Sequence, residues 1–196
     1  MCSFTKVVSE DIKSTAVFSD DKNNEYRYLL TREWDSNKKK ATVIMLNPSK
    51  ATHLKFDTTI MNVHNLMMDY EGKSYGSYSI VNLFAYRSTD PKLLVNRRQD
   101  YEMENDKFLK EAFDNSNIII VAWGRDFSKV NAVTRRDINV RISNVIEMLR
   151  NYQDKIYIFW DGKEDLNNIK PRHPVLLKSH WKLIKYNIKS RFEIDS

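Results

Sequence analysis

The chain has 196 residues, 41% of them hydrophobic, which is enough for one domain with a substantial core. No apolar run reaches the roughly 18 residues of a membrane-spanning helix, and the polar N-terminal segment lacks the apolar stretch of a signal peptide. Cys2 is the only cysteine, which excludes an intrachain disulfide, a four-cysteine zinc site and a cysteine-held iron–sulfur cluster. We therefore expect a cytoplasmic protein without a membrane partner, and a monomer.

The charge balance is modestly basic, with 32 lysines and arginines against 26 acidic residues and a net charge of +6. Such a balance suits a polyanionic partner, because basic side chains that neutralise phosphates release counterions, but alone it indicates none. His53 and His64 lack the spacing of a metal-binding pair, and no phosphate-binding GxxxxGK[ST] loop is present. We expect no metal, no cofactor and no NTPase activity.

The predicted elements alternate between strands and helices. Strands are predicted over 26–34, 41–46, 78–84, 117–123 and 155–160, and helices over 58–70, 100–113 and 138–149. Thr58 is the predicted cap of the first helix, the first 25 residues are predicted to form an irregular arm, and residues 181–186 form either a strand or a helix. This alternation predicts a single α/β domain, a three-layer α/β/α sandwich around a mostly parallel sheet.

Four polar segments adjoin the predicted strands or reach toward their ends. They are MLNPS (45–49), NLFAYRSTDP (82–91), AWG (122–124) and PRHP (171–174). Ligands of open parallel sheets gather outside the carboxyl ends of the strands. The sequence therefore predicts a ligand site at this edge.

The order and spacing of these segments resemble a bacterial family known only as a domain of unknown function, over about residues 26–179. That family typically has two acidic residues where this chain has Phe56 and Asp57, and a proline where it has Thr58. More distantly, the segments are similar to the uracil-DNA glycosylase superfamily. That resemblance implies the superfamily's fold, DNA as the partner and hydrolysis of the bond between uracil and deoxyribose.

The resemblance also implies roles for individual residues. Asn47 would position water and His173 would stabilise the departing base, while Pro48, Ser49, Phe56 and Asn82 would bind the substrate. A carboxamide such as that of Asn82 offers a donor and an acceptor to the imide edge of uracil. Asp57 is an alternative group for positioning water. Four of these residues also have a structural interpretation. Asn47 would form a turn before Pro48 and Asn82 would satisfy backbone groups at a strand end. His173 would be a structural histidine and Phe56 a core phenylalanine.

DNA contacts are predicted around these loops. Leu176 and Leu177 are candidates for an apolar wedge in the base stack, with ordinary core packing as the alternative. The candidate DNA-binding cations are Arg87, Arg97, Arg98, Arg172 and Lys178, followed by a basic tail that includes Lys189 and Arg191. The alternative functions are a nucleic-acid-binding module of this fold without catalysis, and an enzyme acting on a free nucleoside or nucleotide.

Overall fold

The computed structural model describes residues 11–49 and 51–188. Within these residues, seven strands form one sheet and three α-helices pack against it. The strands are β1 (Lys13–Phe18), β2 (Arg27–Glu33), β3 (Lys39–Met45), β4 (Tyr75–Asn82), β5 (Ile118–Val121), β6 (Ile156–Trp160) and β7 (Lys182–Lys185). The helices are α1 (Thr58–Asp69), α2 (Gln99–Asp114) and α3 (Ala132–Leu149).

The sheet is mixed, with the strand order β1-β2-β4-β3-β5-β6-β7. Its four central strands, β4, β3, β5 and β6, pair in parallel. The pairings of β1 with β2, β2 with β4 and β6 with β7 are antiparallel. The predicted α/β class is therefore confirmed, whereas the prediction of a mostly parallel sheet describes only its centre.

Helices cover both faces of the sheet. Alternate side chains of a strand point to opposite faces, and in β3 Ile44 packs in the cluster that contains α2 and α3 while Val43 packs in the cluster that contains α1. Each cluster is built mainly of aliphatic residues that are fully buried. Coverage of both faces explains why β3 and β5 are continuous apolar runs rather than alternating ones.

Most predicted elements are present within a few residues of their expected bounds, and residues 182–185 form a strand. The helix predicted from residue 138 begins at Ala132, because Asn131 caps it by accepting a hydrogen bond from the Thr134 N–H at 2.8 Å. Its first turns carry mostly exposed residues, so the apolar spacing does not reveal them. Among the described residues, none of the helices is both long enough and apolar enough to cross a bilayer.

Two predictions are wrong, one for residues 13–18 and one for the N-cap of α1. Residues 13–18 form the edge strand β1 rather than part of an irregular arm. Lys13 and Thr15 are exposed, as is usual on an edge strand, so no apolar run announces it. Asp57, not Thr58, caps α1, since its side chain accepts from the Ile60 N–H. Residues 1–10 of the predicted arm and the tail residues Lys189 and Arg191 lie outside the described residues.

A buried asparagine of α2 fixes the carboxyl end of β4. The Asn105 side chain is fully buried, and its Nδ2 donates to the carbonyl oxygens of Asn82 at 2.9 Å and Leu83 at 3.2 Å. The Arg141 Nε of α3 also donates to the Leu83 carbonyl, at 2.6 Å. Both helices on this face therefore hold the strand end that carries Asn82.

Asn105→Ala is expected to lower the free energy of unfolding by about 1–3 kcal/mol, because it leaves a buried carbonyl without its donor. Asn115→Ala is the matched control: Asn115 also donates from α2 to a carbonyl, but it is exposed, and the Glu111 carbonyl keeps its bond from the Asn115 N–H. The control should change stability by less than about 0.5 kcal/mol. Denaturant unfolding measures both; equal effects would show that Asn105 does not fix β4.

Candidate functional site

The loops that follow β3 and β4 are joined through Asn47. Parallel pairing sets Met45 opposite Asn82, so both loops leave the sheet at the same edge. The Asn47 Nδ2 donates to the Ser88 carbonyl at 2.7 Å, and the Ser88 N–H donates to the Pro48 carbonyl at 2.9 Å. These bonds commit the amide nitrogen of Asn47 to the loops, which leaves its Oδ1 as the acceptor for a further donor.

Asn82 is the most unusual polar residue at this edge. Its side chain is 1% exposed, and neither Oδ1 nor Nδ2 has a hydrogen-bond partner among the described residues. It alternates with Tyr78 and Ile80, so it points to the face that α1 covers. A buried carboxamide without partners costs free energy comparable to its desolvation. The arrangement therefore favours a ligand that supplies both a donor and an acceptor.

Asp57 links the loop after β3 to α1. Its Oδ1 accepts from the Ile60 N–H at 2.8 Å, as an N-cap does, and its Oδ2 accepts from the Ser49 hydroxyl. Ser49 Oγ also accepts from the Ala51 N–H at 3.3 Å, so Ser49 braces this loop. A carboxylate directly before the two threonines that begin a helix is a capping signal, which the prediction of Thr58 as the cap overlooked.

His173 is close enough to Asp57 for the charge of the carboxylate to act on it. Its Nδ1 accepts from the Val175 N–H at 3.2 Å, so in the neutral imidazole the proton is on Nε2. Burial lowers the pKa of His173, and the charge of Asp57 opposes that shift only in part. At neutral pH the side chain is therefore a neutral Nε2–H donor. The Asn62 Nδ2 of α1 donates to the Pro174 carbonyl at 2.9 Å, which holds the His173 loop against α1.

Arg27 of β2 belongs to the same region, and sequence reasoning missed it. Its guanidinium is 2% exposed and donates from Nη1 to the Ala51 carbonyl at 2.8 Å. The pKa of Arg27 is lowered to about 10, mainly by burial and also by the charges of Arg87 and Arg32, while Asp57 opposes the shift. An arginine inside a strand resembles an exposed position of an alternating pattern, so no sequence signal marks it as buried.

Several of the predicted DNA-binding cations already have partners within the chain. Arg172 forms ion pairs with Asp161 at 2.9 Å and Glu164 at 2.8 Å, and its guanidinium stacks on Trp181. Arg97 pairs with Asp137 at 3.0 Å, and Arg98 pairs with Asp100 at 2.8 Å. Arg87 donates to the Asn24 carbonyl at 2.9 Å. Lys178 is exposed, and no described residue forms an ion pair with it.

The apolar candidates separate into exposed and packed side chains. Leu176 is 69% exposed on the short 3-10 helix that follows His173, whereas Leu177 packs in part against the α1-side core. Phe56 is 42% exposed, but its ring lies against Arg32, at 4.6 Å, and the His64 ring. These contacts place Phe56 beside the C-terminal end of β2 rather than beside Asn82.

The AWG segment (122–124), which follows β5, contributes to core packing on the face that α2 and α3 cover. Trp123 is buried in the cluster with α2 and α3, and Gly124, three residues after the end of β5, has a φ of 99°, a conformation that favours glycine. Among the described residues, no group of three or more histidine, cysteine or acidic side chains could hold a metal ion.

Comparison with known proteins gives a family match. No curated protein and no solved structure matches the chain. A family described as "Protein of unknown function (DUF1643)" matches residues 27–175, which is more than half of the chain and includes the loops of Asn47, Asn82 and His173. The chain therefore belongs to the DUF1643 family.

Proposed function

We propose that the protein is a DNA glycosylase that hydrolyses the N-glycosidic bond of uracil in DNA, with the three-layer α/β/α fold of the uracil-DNA glycosylase superfamily. The observation that carries the proposal is the buried, unpartnered carboxamide of Asn82. The coverage of both sheet faces by helices supports the fold. The similarity of the four loop segments to that superfamily supports the activity.

Asn82 is the base-reading residue in this proposal. The imide edge of uracil presents one N–H donor between carbonyl acceptors, and a carboxamide complements a donor and one acceptor at once. A base bound to Asn82 gives both atoms of the carboxamide the partners they lack. A base inside a duplex is out of reach, so the nucleotide has to leave the stack first.

Hydrolysis then requires a placed water and a stabilised leaving group. The C1′–N1 bond breaks with its electron pair going to the base, water oxygen bonds to C1′, and the proton lost by the water balances the charge of the released base. Asn47 Oδ1 accepts a hydrogen bond from that water, and Asp57 is a second acceptor on the same loop. The Nε2–H of His173 donates to the oxygen of the base on which negative charge develops.

Leu176 is the wedge residue of the proposal. Its exposed side chain lies three residues after His173, so it can occupy the stack that the extruded nucleotide leaves. Lys178 and Lys55 are exposed on the two loops that flank Asp57 and His173, and both suit contacts with phosphates.

A second candidate is an enzyme that releases a base from a free nucleoside or nucleotide. The ion pairs of Arg97, Arg98 and Arg172 favour it, because cations that are already paired contribute less to DNA affinity. Comparing base release from deoxyuridine monophosphate and from a uracil-containing oligonucleotide separates the two candidates.

Asn82→Ala is expected to lower the single-turnover rate of uracil excision at least about tenfold, because the base loses its recognition group. Affinity for an undamaged strand should stay within about threefold, since phosphate contacts carry it. Excision assays and salt-matched binding titrations measure the two quantities. Equal losses of both, together with a lower melting temperature, would show that Asn82 is structural.

Asn47→Ala and His173→Ala are each expected to slow excision at least about tenfold while ground-state affinity for a uracil-containing strand changes only a few-fold. Both groups act mainly in the transition state. Asn62→Ala serves as a control, because it removes the hydrogen bond from Asn62 to the Pro174 carbonyl but no reacting group. Its excision rate shows how much of the loss in His173→Ala comes from a displaced loop. If both variants lose affinity and rate together, their chemical roles are wrong.

Leu176→Ala should weaken capture of uracil in duplex DNA several-fold and have less effect on single strands, where no stack is opened. The neighbouring change Leu177→Ala should instead lower the melting temperature, because Leu177 packs against the core. Single-turnover rates on matched single- and double-stranded substrates measure the difference. An equal effect of Leu176→Ala on both substrates would contradict the wedge.

A further inference from the structure

Two arginines of β2 are buried without a carboxylate partner. Arg27 is 2% exposed and Arg32 is 0% exposed. Among the described residues neither forms an ion pair within 4.0 Å, and the Nε of each lacks a hydrogen-bond partner. Burying a cation without a counter-charge costs free energy. In Arg27 and Arg32 hydrogen bonds to carbonyl oxygens offset only part of that cost.

The two side chains hold the same loop in the same way. Arg27 Nη1 donates to the Ala51 carbonyl at 2.8 Å, and Arg32 Nη2 donates to the Thr52 carbonyl at 3.0 Å. Both therefore position the segment that leads to Asp57. If holding this loop were their whole function, Arg27 and Arg32 would have the same role.

Their places along β2 differ. The Arg27 N–H donates to the Ala85 carbonyl at 2.9 Å, just beyond the end of β4 that carries Asn82. Arg32 is opposite Tyr78, four residues before Asn82, and its guanidinium lies on the ring of Phe56. Arg27 is thus the buried cation at the carboxyl end of β4, whereas Arg32, the last residue but one of β2, lies opposite the middle of β4.

The charge of Arg27 is not neutralised by the nearest acid. Asp57 acts on Arg27 electrostatically, but its two oxygens accept from the Ile60 N–H and the Ser49 hydroxyl. Arg87, also close enough to act on Arg27, adds positive charge. The local field at this edge therefore favours an anion, and burial keeps that field poorly screened.

We infer that Arg27 supplies the counter-charge for the base anion that forms when the glycosidic bond breaks, as a positioning and electrostatic residue that does not itself transfer a proton. This inference rests on the proposed function. The electron pair of the C1′–N1 bond goes to the base, and the fixed charge of Arg27 stabilises the resulting anion until a proton reaches it. His173 contributes the hydrogen bond, and Arg27 contributes the field.

The test compares Arg27→Gln with the matched variant Arg32→Gln on two leaving groups, uracil and 5-fluorouracil, in the same oligonucleotide. The fluorinated base is the better leaving group because fluorine stabilises its anion. We expect Arg27→Gln to slow uracil excision at least about tenfold and 5-fluorouracil excision no more than about threefold. Arg32→Gln should slow both by the same factor. Arg27→Lys keeps the positive charge. It should therefore retain the base dependence of the parent protein, which is the ratio of its 5-fluorouracil and uracil excision rates.

Each outcome decides the inference. If the parent protein excises neither base, the proposed function fails and this inference falls with it. If the parent excises uracil but Arg27→Gln slows both bases equally, or Arg32→Gln shows the same base dependence, only the role of Arg27 is overturned. Thermal melting identifies a variant that does not fold; should Arg27→Gln be one, an altered base dependence in Arg27→Lys overturns the role instead.

Discussion

The parallel pairing of β3 with β4 brings Asn47 and Asn82 to one edge of the sheet, and the arrangement of the site depends on it. Met45 lies opposite Asn82, and the Leu83 N–H donates to the Met45 carbonyl at 2.8 Å. The two strands are buried on both faces, so their register is strongly specified. The Asn47 side chain then joins the two following loops, which gives the edge a rigid frame.

This frame combines neutral hydrogen-bonding groups with a small number of buried charges. Asn82 and Asn47 offer uncharged donors and acceptors, and His173 is neutral because burial lowers its pKa. Arg27 and Asp57 carry opposite charges, but Asp57 is held by the start of α1 and Ser49. A site of this composition suits a neutral base that becomes charged during reaction, because fixed dipoles and charges need little reorganisation at that moment.

The sequence predicts the centre of the sheet better than its edges. Residues 41–46 and 117–123 are continuous apolar runs, and such runs survive only where both faces are covered, so β3 and β5 are recognisable. β1 lies at an edge with exposed Lys13 and Thr15 and has no such signal. Strand direction is likewise invisible in composition, which is why the antiparallel outer pairings were not predicted.

The site residues likewise divide into those that a sequence pattern marks and those that only the fold reveals. Asn47 and His173 stand in short segments beside proline, where sequence patterns point to loops, and Asn82 lies near the end of a predicted strand. Asp57 has the signal of a helix cap, although the prediction chose Thr58. Arg27 and Arg32 have no comparable signal, because only the tertiary fold buries them. The ion pairs of Arg97 and Arg172 also depend on acids that are distant in sequence, Asp137 for one and Asp161 for the other.

In the proposed function the carboxamide of Asn82 binds a base and the surrounding groups release it. The most direct measurement incubates the parent protein with a uracil-containing oligonucleotide and determines free uracil and the mass of the strand. We predict one free uracil for each strand that acquires an abasic site, and none from the same strand incubated without the protein. An intact uracil strand after prolonged incubation with excess protein, in single- and double-stranded form alike, would contradict this prediction.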